Sequence, residues 1–201
     1  GVAESFAPQG TSTVRHTCEQ LKIPSQYYVL ATGSLDPRKN LDRQLSIWRK
    51  IQHDVPNDLW LVLFGKTTSS GIFRHTHPHD LPARVHVVGH VPDDVIASLY
   101  AGALVFLYPS MYEGFGLPVL EAMASGTPVL TSNLSALPEV TGDSAMCVNP
   151  CHEDDIASAL LTLIGDASLR GTLSEKGRIR SEQFSWKKSA HMTFEVLKSV
   201  S

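Results

Sequence analysis

Short, almost wholly apolar runs recur along the 201-residue chain and alternate with stretches of helical periodicity. Runs this short and continuous are typical of strands that are buried on both faces of a parallel sheet. They predict six strands, at residues 27–32, 59–64, 84–88, 104–108, 128–131 and 145–148.

The segments between these runs carry helical patterns. Leu41, Leu45, Trp48 and Ile51 fall on one helical face, and residues 95–103 and 156–164 show the same spacing. Strands that alternate with helices predict an α/β fold, a Rossmann-like doubly wound parallel sheet of about six strands with extra C-terminal helices. Ligands of such sheets bind beyond the carboxyl ends of the strands.

The two ends of the chain differ from the middle. Residues 1–13 lack periodicity and contain Pro8 and Gly10, so they are predicted to form a linker. Residues 152–199 have the pattern of successive helices, with glycines such as Gly171 and Gly177 expected to separate them.

Composition narrows the function classes. Apolar residues make up 42% and charged residues 18% of the chain, as in an ordinary globular protein. The formal net charge of -3 argues against general nucleic-acid binding. Three cysteines are too few for a disulfide framework and favour a reducing, cytoplasmic compartment. We expect no signal peptide and no transmembrane segment, and a start at Gly rather than Met suggests a piece of a longer protein.

Residues 108–131 are the most informative segment. A buried strand is predicted to end at Tyr108, and a loop with Gly114 and Gly116 follows it. A helix is predicted to begin with Pro118 just before Val119 and to end at Gly126. A glycine-flanked helix N-terminus at the carboxyl end of a parallel strand attracts anions.

Two carboxylates, Glu113 and Glu121, bracket this helix start. Backbone amides between two hydrogen-bond acceptors suit a phosphate that also carries hydroxyls, such as a nucleotide sugar. A lone Glu-Gly-x-Gly can equally be only a helix start. Val119 occupies the third glycine position of the dinucleotide-binding fingerprint, so that motif is not matched.

The whole motif Glu113-Gly-Phe-Gly-Leu-Pro-Val-Leu-Glu121 resembles the glutamate-x7-glutamate signature of retaining glycosyltransferases, family 4, with the GT-B fold. Pro138-Glu139-Val140, Phe184-Ser185-Trp186 and residues 1–8 resemble further blocks of that family in the same order.

The resemblance implies one half of a GT-B enzyme. Residues 1–13 would then be the hinge, residues 14–184 the nucleotide-sugar donor domain, and residues 185–201 a helix that crosses to an N-terminal acceptor domain outside this chain. An apolar stripe on that helix, Trp186, Ala190, Phe194 and Leu197, agrees with such a contact.

The resemblance also implies residue roles. The loop Gly33-Ser34-Leu-Asp-Pro-Arg38-Lys39 follows the first strand, and Lys39 matches the family's phosphate-binding lysine. The family's arginine position is Ser34 here, so either Arg38 takes that role or the diphosphate meets one cation fewer. Catalytic residues are predicted to be Glu113, Lys39 and Arg38.

The donor-binding set is larger and includes residues whose contacts would be made largely through the backbone. Glu121 is expected to accept from ribose hydroxyls and Glu113 to hold the transferred sugar. The full set predicted is Gly33, Ser34, Arg38, Lys39, Lys66, His90, Val91, Glu113, Gly114, Phe115, Gly116, Leu117 and Glu121.

We expect no cofactor and no metal. The chain contains no Asp-x-Asp, and His75, His77 and His79 surround a proline in a polar stretch, where a solvated loop is the favoured interpretation.

The function expected from the resemblance is transfer of a hexose, with mannose from GDP-mannose favoured by the 33–40 loop, to a saccharide or lipid-linked acceptor, in lipopolysaccharide O-antigen assembly. Two alternatives stay open: a non-catalytic nucleotide-sugar-binding module, and a GT-B nucleotide-sugar epimerase. Peripheral association of the longer enzyme with the inner face of a membrane also stays open, whereas nucleic acid is not expected as a partner.

Overall fold

The computed structural model describes residues 1–65 and 81–199. Each of its strands lies within one residue of a predicted apolar run. The strands are β1 (Tyr28–Thr32), β2 (Trp60–Phe64), β3 (Val85–Gly89), β4 (Val105–Tyr108), β5 (Val129–Ser132) and β6 (Met146–Val148). The helices are α1 (Thr11–Gln20), α2 (Leu41–Ile51), α3 (Asp93–Gly102), α4 (Leu117–Ala124), α5 (Leu137–Thr141), α6 (Glu153–Gly165), α7 (Ala167–Ser181) and α8 (Trp186–Ser199).

The six strands form one parallel sheet in the order β3-β2-β1-β4-β5-β6. This confirms the predicted doubly wound α/β fold. The strand order reverses between β1 and β4, where Ala31 pairs with Leu107. Their carboxyl ends therefore lie side by side, at the switch point where such sheets bind ligands.

Alternate strand residues supply two cores, one on each face of the sheet. Val29 and Ala31 pack with residues of α2 and α6, whereas Tyr28 and Leu30 pack with residues of α1, α3 and α4. Strand side chains alternate between faces with a period of two, so a run that is apolar throughout is buried on both sides.

Two details differ from the sequence-based expectations. Helix α1 begins at Thr11, so the predicted linker ends three residues early, and Phe6 of that segment packs its ring on Tyr100. Gly171 and Gly177 do not separate helices but lie inside α7. A Cβ at Gly177 would lie 3.3 Å from the Met123 side chain, so this glycine allows close packing of α7 on α4.

Helix α8 carries exposed apolar side chains. Trp186 is 61% exposed and Phe194 54% exposed, and the helix has no buried residue within the described range. In the described part of the chain, no single helix is long and apolar enough to cross a membrane, although Glu153–Gly165 with Ala167–Ser199, bent by 98°, meets that test as a pair on length and composition alone.

Candidate functional site

The loops that follow β1 and β4 meet at a cluster around Glu113. Its Oε1 atom accepts hydrogen bonds from Lys39 Nζ at 2.6 Å, from the Tyr108 hydroxyl at 2.7 Å and from the Ser110 hydroxyl at 2.7 Å. Lys39 Nζ also donates to the Tyr108 hydroxyl. The side chains of Lys39 and Glu113 are only 22% and 13% exposed, so this ion pair is largely shielded from water.

The local sequence explains why Lys39 reaches this cluster. Asp36 accepts from the Arg38 N–H at 3.0 Å and starts a single 3₁₀ turn, Pro37–Lys39. Asn40 then adopts the left-handed conformation, with φ 61°, and its Nδ2 donates to Pro109 O at 3.0 Å. This bond ties the loop after β1 to the loop after β4.

The electrostatics of Glu113 follow from its contacts. Burial is the largest influence and acts to raise the pKa of Glu113, but the hydrogen bonds from Lys39, Tyr108 and Ser110 outweigh it, so the pKa lies below its ordinary value. Burial, and then the bond to Glu113, raise the pKa of Tyr108. Glu113 is therefore a carboxylate and Tyr108 a neutral hydroxyl at neutral pH.

Glu121 lies one turn into α4 and has fewer hydrogen-bond donors around it than Glu113. One hydrogen bond, 3.4 Å from the Tyr100 hydroxyl, reaches its Oε2 atom. Burial raises the pKa of Glu121, the Tyr100 bond opposes this, and Asp93 adds to the rise.

The backbone between the two glutamates is open to a ligand. Gly116 precedes α4 with φ 96°, a left-handed conformation that favours glycine. A Cβ there would lie 2.5 Å from the Leu137 side chain. Among the described residues, the N–H groups of Gly114, Phe115, Gly116 and Leu117 have no acceptor. Four such donors at the start of a helix are the arrangement that anion sites use, which makes this loop a candidate anion site.

The predicted helix boundaries need a small correction. Leu117, not Pro118, is the first residue of α4, and the helix ends at Ala124 rather than Ser125. Pro118 still occupies the first turn, where its lack of an N–H leaves no helical bond unmade.

Arg38 lies in a different arrangement from the diphosphate clamp predicted for it. Its guanidinium binds the Asp36 carboxylate at 2.6 Å and is 61% exposed. This pair lowers the pKa of Asp36 to about 2. The Arg38 carbonyl, by contrast, faces the cluster, since it accepts from Ser110 Oγ at 2.8 Å.

The remaining predicted residues are distributed around the same edge of the sheet. Gly33 is buried and its N–H bonds to Phe64 O at 2.7 Å, while Ser34 Oγ accepts from Asp36 N at 3.2 Å. His90 is exposed, and the Val91 side chain lies in the core. Lys66 lies outside the described residues, as do the three histidines of the 66–80 stretch.

Phe115 and Leu117 lie beside the first turn of α8. The Phe115 ring contacts Phe184 edge-on at 5.8 Å. A cavity of about 260 Å³ is lined by Phe115, Leu117, Trp186, Ser189 and Gly1. The loop thus lies between the candidate anion site on one side and this cavity on the other.

Sequence reasoning missed three contributors to the site, Tyr108, Ser110 and Ser135. The Ser135 hydroxyl accepts from the Glu113 N–H at 3.0 Å. Tyr108 was placed in the sequence only as the last residue of a strand. The one available signal was its position at the carboxyl end of a strand, directly before the loop that carries Glu113. Within the described residues, no group of three or more His, Cys, Asp or Glu could hold a metal ion.

The fold defines a Rossmann-like domain with a loop of unpaired N–H groups, the candidate anion site, at its switch point. The chain belongs to the family described as glycosyl transferases group 1, which it matches over residues 17–180. The family resemblance seen in the sequence is therefore confirmed.

Curated relatives include mannosyltransferases. The O-antigen chain mannosyltransferase B of Escherichia coli is 31% identical over 198 residues, which cover 98% of this chain and 52% of that protein. The MMP alpha-(1->4)-mannosyltransferase of Mycolicibacterium hassiacum is 41% identical over 116 residues, 56% of this chain and 28% of that protein. The chain spans about half the length, or less, of the relatives that it matches.

Solved structures confirm a GT-B half. The C-terminal domain of the group 1 glycosyl transferase LpcC from Francisella tularensis is 25% identical with a TM-score of 0.76, and the match covers 91% of this chain and 97% of that one. Anabaena Alr3699/HepE, solved with UDP and glucose, is 20% identical with a TM-score of 0.83 and covers 99% of this chain and 55% of that one.

Proposed function

We propose that this chain is the donor-binding half of a retaining glycosyltransferase, and that its donor is GDP-mannose. The observation that carries the proposal is the juxtaposition of four N–H groups without acceptors, at Gly114 to Leu117, with the Lys39 ammonium and two carboxylates. A nucleotide sugar carries a diphosphate, which accepts hydrogen bonds, and the hydroxyls of ribose and of the sugar, which can donate them. The N–H groups and Lys39 suit the diphosphate, and the two carboxylates suit the hydroxyls.

In the proposed mechanism, negative charge grows on the diphosphate as the bond from the anomeric carbon to the phosphate oxygen breaks. The loop N–H groups and Lys39 stabilise that charge, with Arg38 as a further cation if it leaves Asp36. Because these groups already supply positive charge, we propose that the chemistry needs neither metal nor cofactor. Glu113 would orient the transferred sugar, and Glu121 would accept from ribose.

Mannose as the sugar is supported by relatives that are named mannosyltransferases. The acceptor, on the same grounds, would be a growing saccharide or a lipid-linked one, bound to a second domain that packs on the exposed face of α8. The three cysteines are free thiols, which agrees with the proposed cytoplasmic location.

The first test is titration calorimetry of the chain with GDP-mannose, UDP-glucose and UDP-N-acetylglucosamine. We expect GDP-mannose to bind most tightly. Lys39→Ala should weaken binding by about 1.5–3 kcal/mol, the range for a charge-assisted hydrogen bond. Lys50→Ala is the matched control, because Lys50 pairs with Asp154 on an exposed surface of α2 and α6 and should leave affinity unchanged.

Four outcomes would count against the proposal or a part of it. Equal affinity of Lys39→Ala and the unaltered chain would show that Lys39 does not bind the donor. Tightest binding of a UDP-sugar would show that the donor is not GDP-mannose. Without an acceptor domain the chain should bind but not transfer, so sugar transfer from labelled GDP-mannose to an oligosaccharide would show that the chain is not half of an enzyme. Conversion of the donor sugar to its epimer, seen by NMR, would favour the epimerase alternative.

A further inference from the structure

The Tyr108 hydroxyl joins the two charged residues of the site. It donates to Glu113 Oε1 at 2.7 Å and accepts from Lys39 Nζ. The Tyr108 ring is fully buried and stacks on Phe106 at 5.4 Å, so the position of the hydroxyl is set by the core and not by the loop. A neutral group fixed by the core thus contacts a cation and an anion that lie on two different loops.

On the proposed function, the ion pair between Lys39 and Glu113 opens when the donor diphosphate binds Lys39. Lys39 Nζ lies 2.6 Å from Glu113 Oε1, so a diphosphate that takes Lys39 removes the counter-ion of a largely buried carboxylate. A buried charge left without its partner is strongly destabilising. The carboxylate therefore needs other donors at the moment when Lys39 leaves.

Resting on the proposed function, we infer that Tyr108 is a positioning residue that keeps Glu113 ionised and oriented while Lys39 moves to the donor diphosphate. The Tyr108–Glu113 bond does not involve Lys39, so it survives that movement. With its Oε1 atom held, Glu113 keeps Oε2, which accepts no hydrogen bond from the described residues, for the sugar hydroxyls.

Ser110 is a weaker candidate for the same role. It has one hydroxyl proton, and Arg38 O at 2.8 Å competes for it with Glu113 Oε1 at 2.7 Å. For the Tyr108 proton, Glu113 is the one acceptor within the described residues. The other charged groups that act on this cluster are Arg38 and Asp36 from the loop after β1, and Glu121 from α4.

A double-mutant cycle tests the inference, with GDP-mannose as the probe. Tyr108→Phe keeps the ring and removes only the hydroxyl, and it should weaken GDP-mannose binding by about tenfold or more, as expected for loss of a hydrogen bond to a charged group. In a Glu113→Ala background, the same substitution should change affinity by less than about twofold, because the group on which it acts is gone.

Tyr28→Phe is the matched control. The Tyr28 ring is also fully buried in the sheet, and its hydroxyl donates to Leu99 O at 2.8 Å, away from the site. It should leave the affinity for GDP-mannose unchanged. An equal effect of Tyr108→Phe in both backgrounds would mean a purely structural role and would overturn the inference, as would no effect in the unaltered chain. If the unaltered chain fails to bind any nucleotide sugar, the proposed function fails, and this inference with it.

A second measurement needs no variant of Tyr108. Calorimetry of GDP-mannose binding at pH 7, in buffers of different ionisation enthalpy, counts the protons taken up. Each phosphate of GDP-mannose carries one ester and one anhydride bond and keeps only a strongly acidic proton, so the ligand itself does not titrate near this pH. We expect uptake of about zero protons if Tyr108 keeps Glu113 ionised, and uptake of about one would overturn the inference. Repeating the proton count with Glu121→Gln shows whether any uptake occurs at Glu121 and not at Glu113.

Discussion

Glu113 and Glu121 lie at the two ends of the segment that we propose binds the donor, yet their surroundings differ in almost every respect. Three donors from two loops and a strand converge on Glu113 Oε1, and one of them is a cation. Glu121 has one long hydrogen bond, of 3.4 Å, from Tyr100. Both are partly buried, but the pKa of Glu113 is lowered and that of Glu121 is raised.

The difference shows that burial alone does not decide how a carboxylate behaves. Burial acts in the same direction on both groups, and the number and charge of the donors decide the outcome. Glu113 is held in place before a ligand arrives, as a group that orients a sugar must be. Glu121 has one weak donor among the described residues, the Tyr100 hydroxyl at 3.4 Å, so it would gain more from ligand hydroxyls, as a group that accepts from ribose would.

The largest expected effect comes from the turn that separates the two glutamates. Gly116→Ala places a Cβ in a left-handed conformation, and 2.5 Å from the Leu137 side chain. Backbone strain and overpacking together should lower the free energy of unfolding by about 2–4 kcal/mol. Urea denaturation measures this value.

Gly114→Ala is the control for this substitution. A Cβ at Gly114 would meet nothing within 4 Å. Its free energy of unfolding should change by less than about 0.5 kcal/mol. If the two alanine variants are equally stable, the turn at Gly116 does not have the tight packing described here.

A smaller effect should appear in the pH dependence of stability. The folded-state pKa of Glu113 lies below the ordinary value of 4.5, so its ionised form stabilises the fold above that value, and the contribution is lost as the pH falls through the folded pKa. The pKa of Glu121 is raised, so its stabilising contribution is present below 4.5 and is lost as the pH rises through the folded pKa.

The two glutamine variants should therefore respond to pH in opposite ways. Relative to the unaltered chain, Glu113→Gln should cost more stability at neutral pH than in acid, and Glu121→Gln less. We expect each difference to be about 1 kcal/mol or less. Chemical denaturation at several pH values measures it, and parallel curves for the two variants would mean that their environments do not differ.

The fold could be predicted almost completely from the sequence because its strands are continuous apolar runs between turn residues. The apolar run at 104–108, for example, lies within one residue of β4. Helix α1 was missed since only Val14, Thr17 and Cys18 of its ten residues are buried, which leaves little periodicity to detect. The glycines inside α7 were predicted to end a helix for a different reason. The packing role of Gly177 depends on its contact with Met123, which is far away in the sequence.

The candidate site was predictable where it depends on local order and not where it depends on contacts between loops. The Glu113–Glu121 spacing and the glycines between them mark the loop and the start of α4. That Lys39 would pair with Glu113, 74 residues away, could not be derived from spacing. The pairing of Arg38 with Asp36 is local, but whether an arginine turns toward a neighbour or a ligand depends on the final turn geometry.

The most direct test of the account compares GDP with GDP-mannose on Glu113→Gln and Glu121→Gln by calorimetry. Glu121→Gln should weaken both ligands by about tenfold or more, because each contains the ribose from whose hydroxyls Glu121 is proposed to accept hydrogen bonds. Glu113→Gln should weaken GDP-mannose to a similar extent but should not weaken GDP, since only the donor carries the sugar and loss of the carboxylate leaves Lys39 available to the diphosphate. If Glu113→Gln weakens GDP and GDP-mannose equally, the division of roles between the two glutamates is wrong.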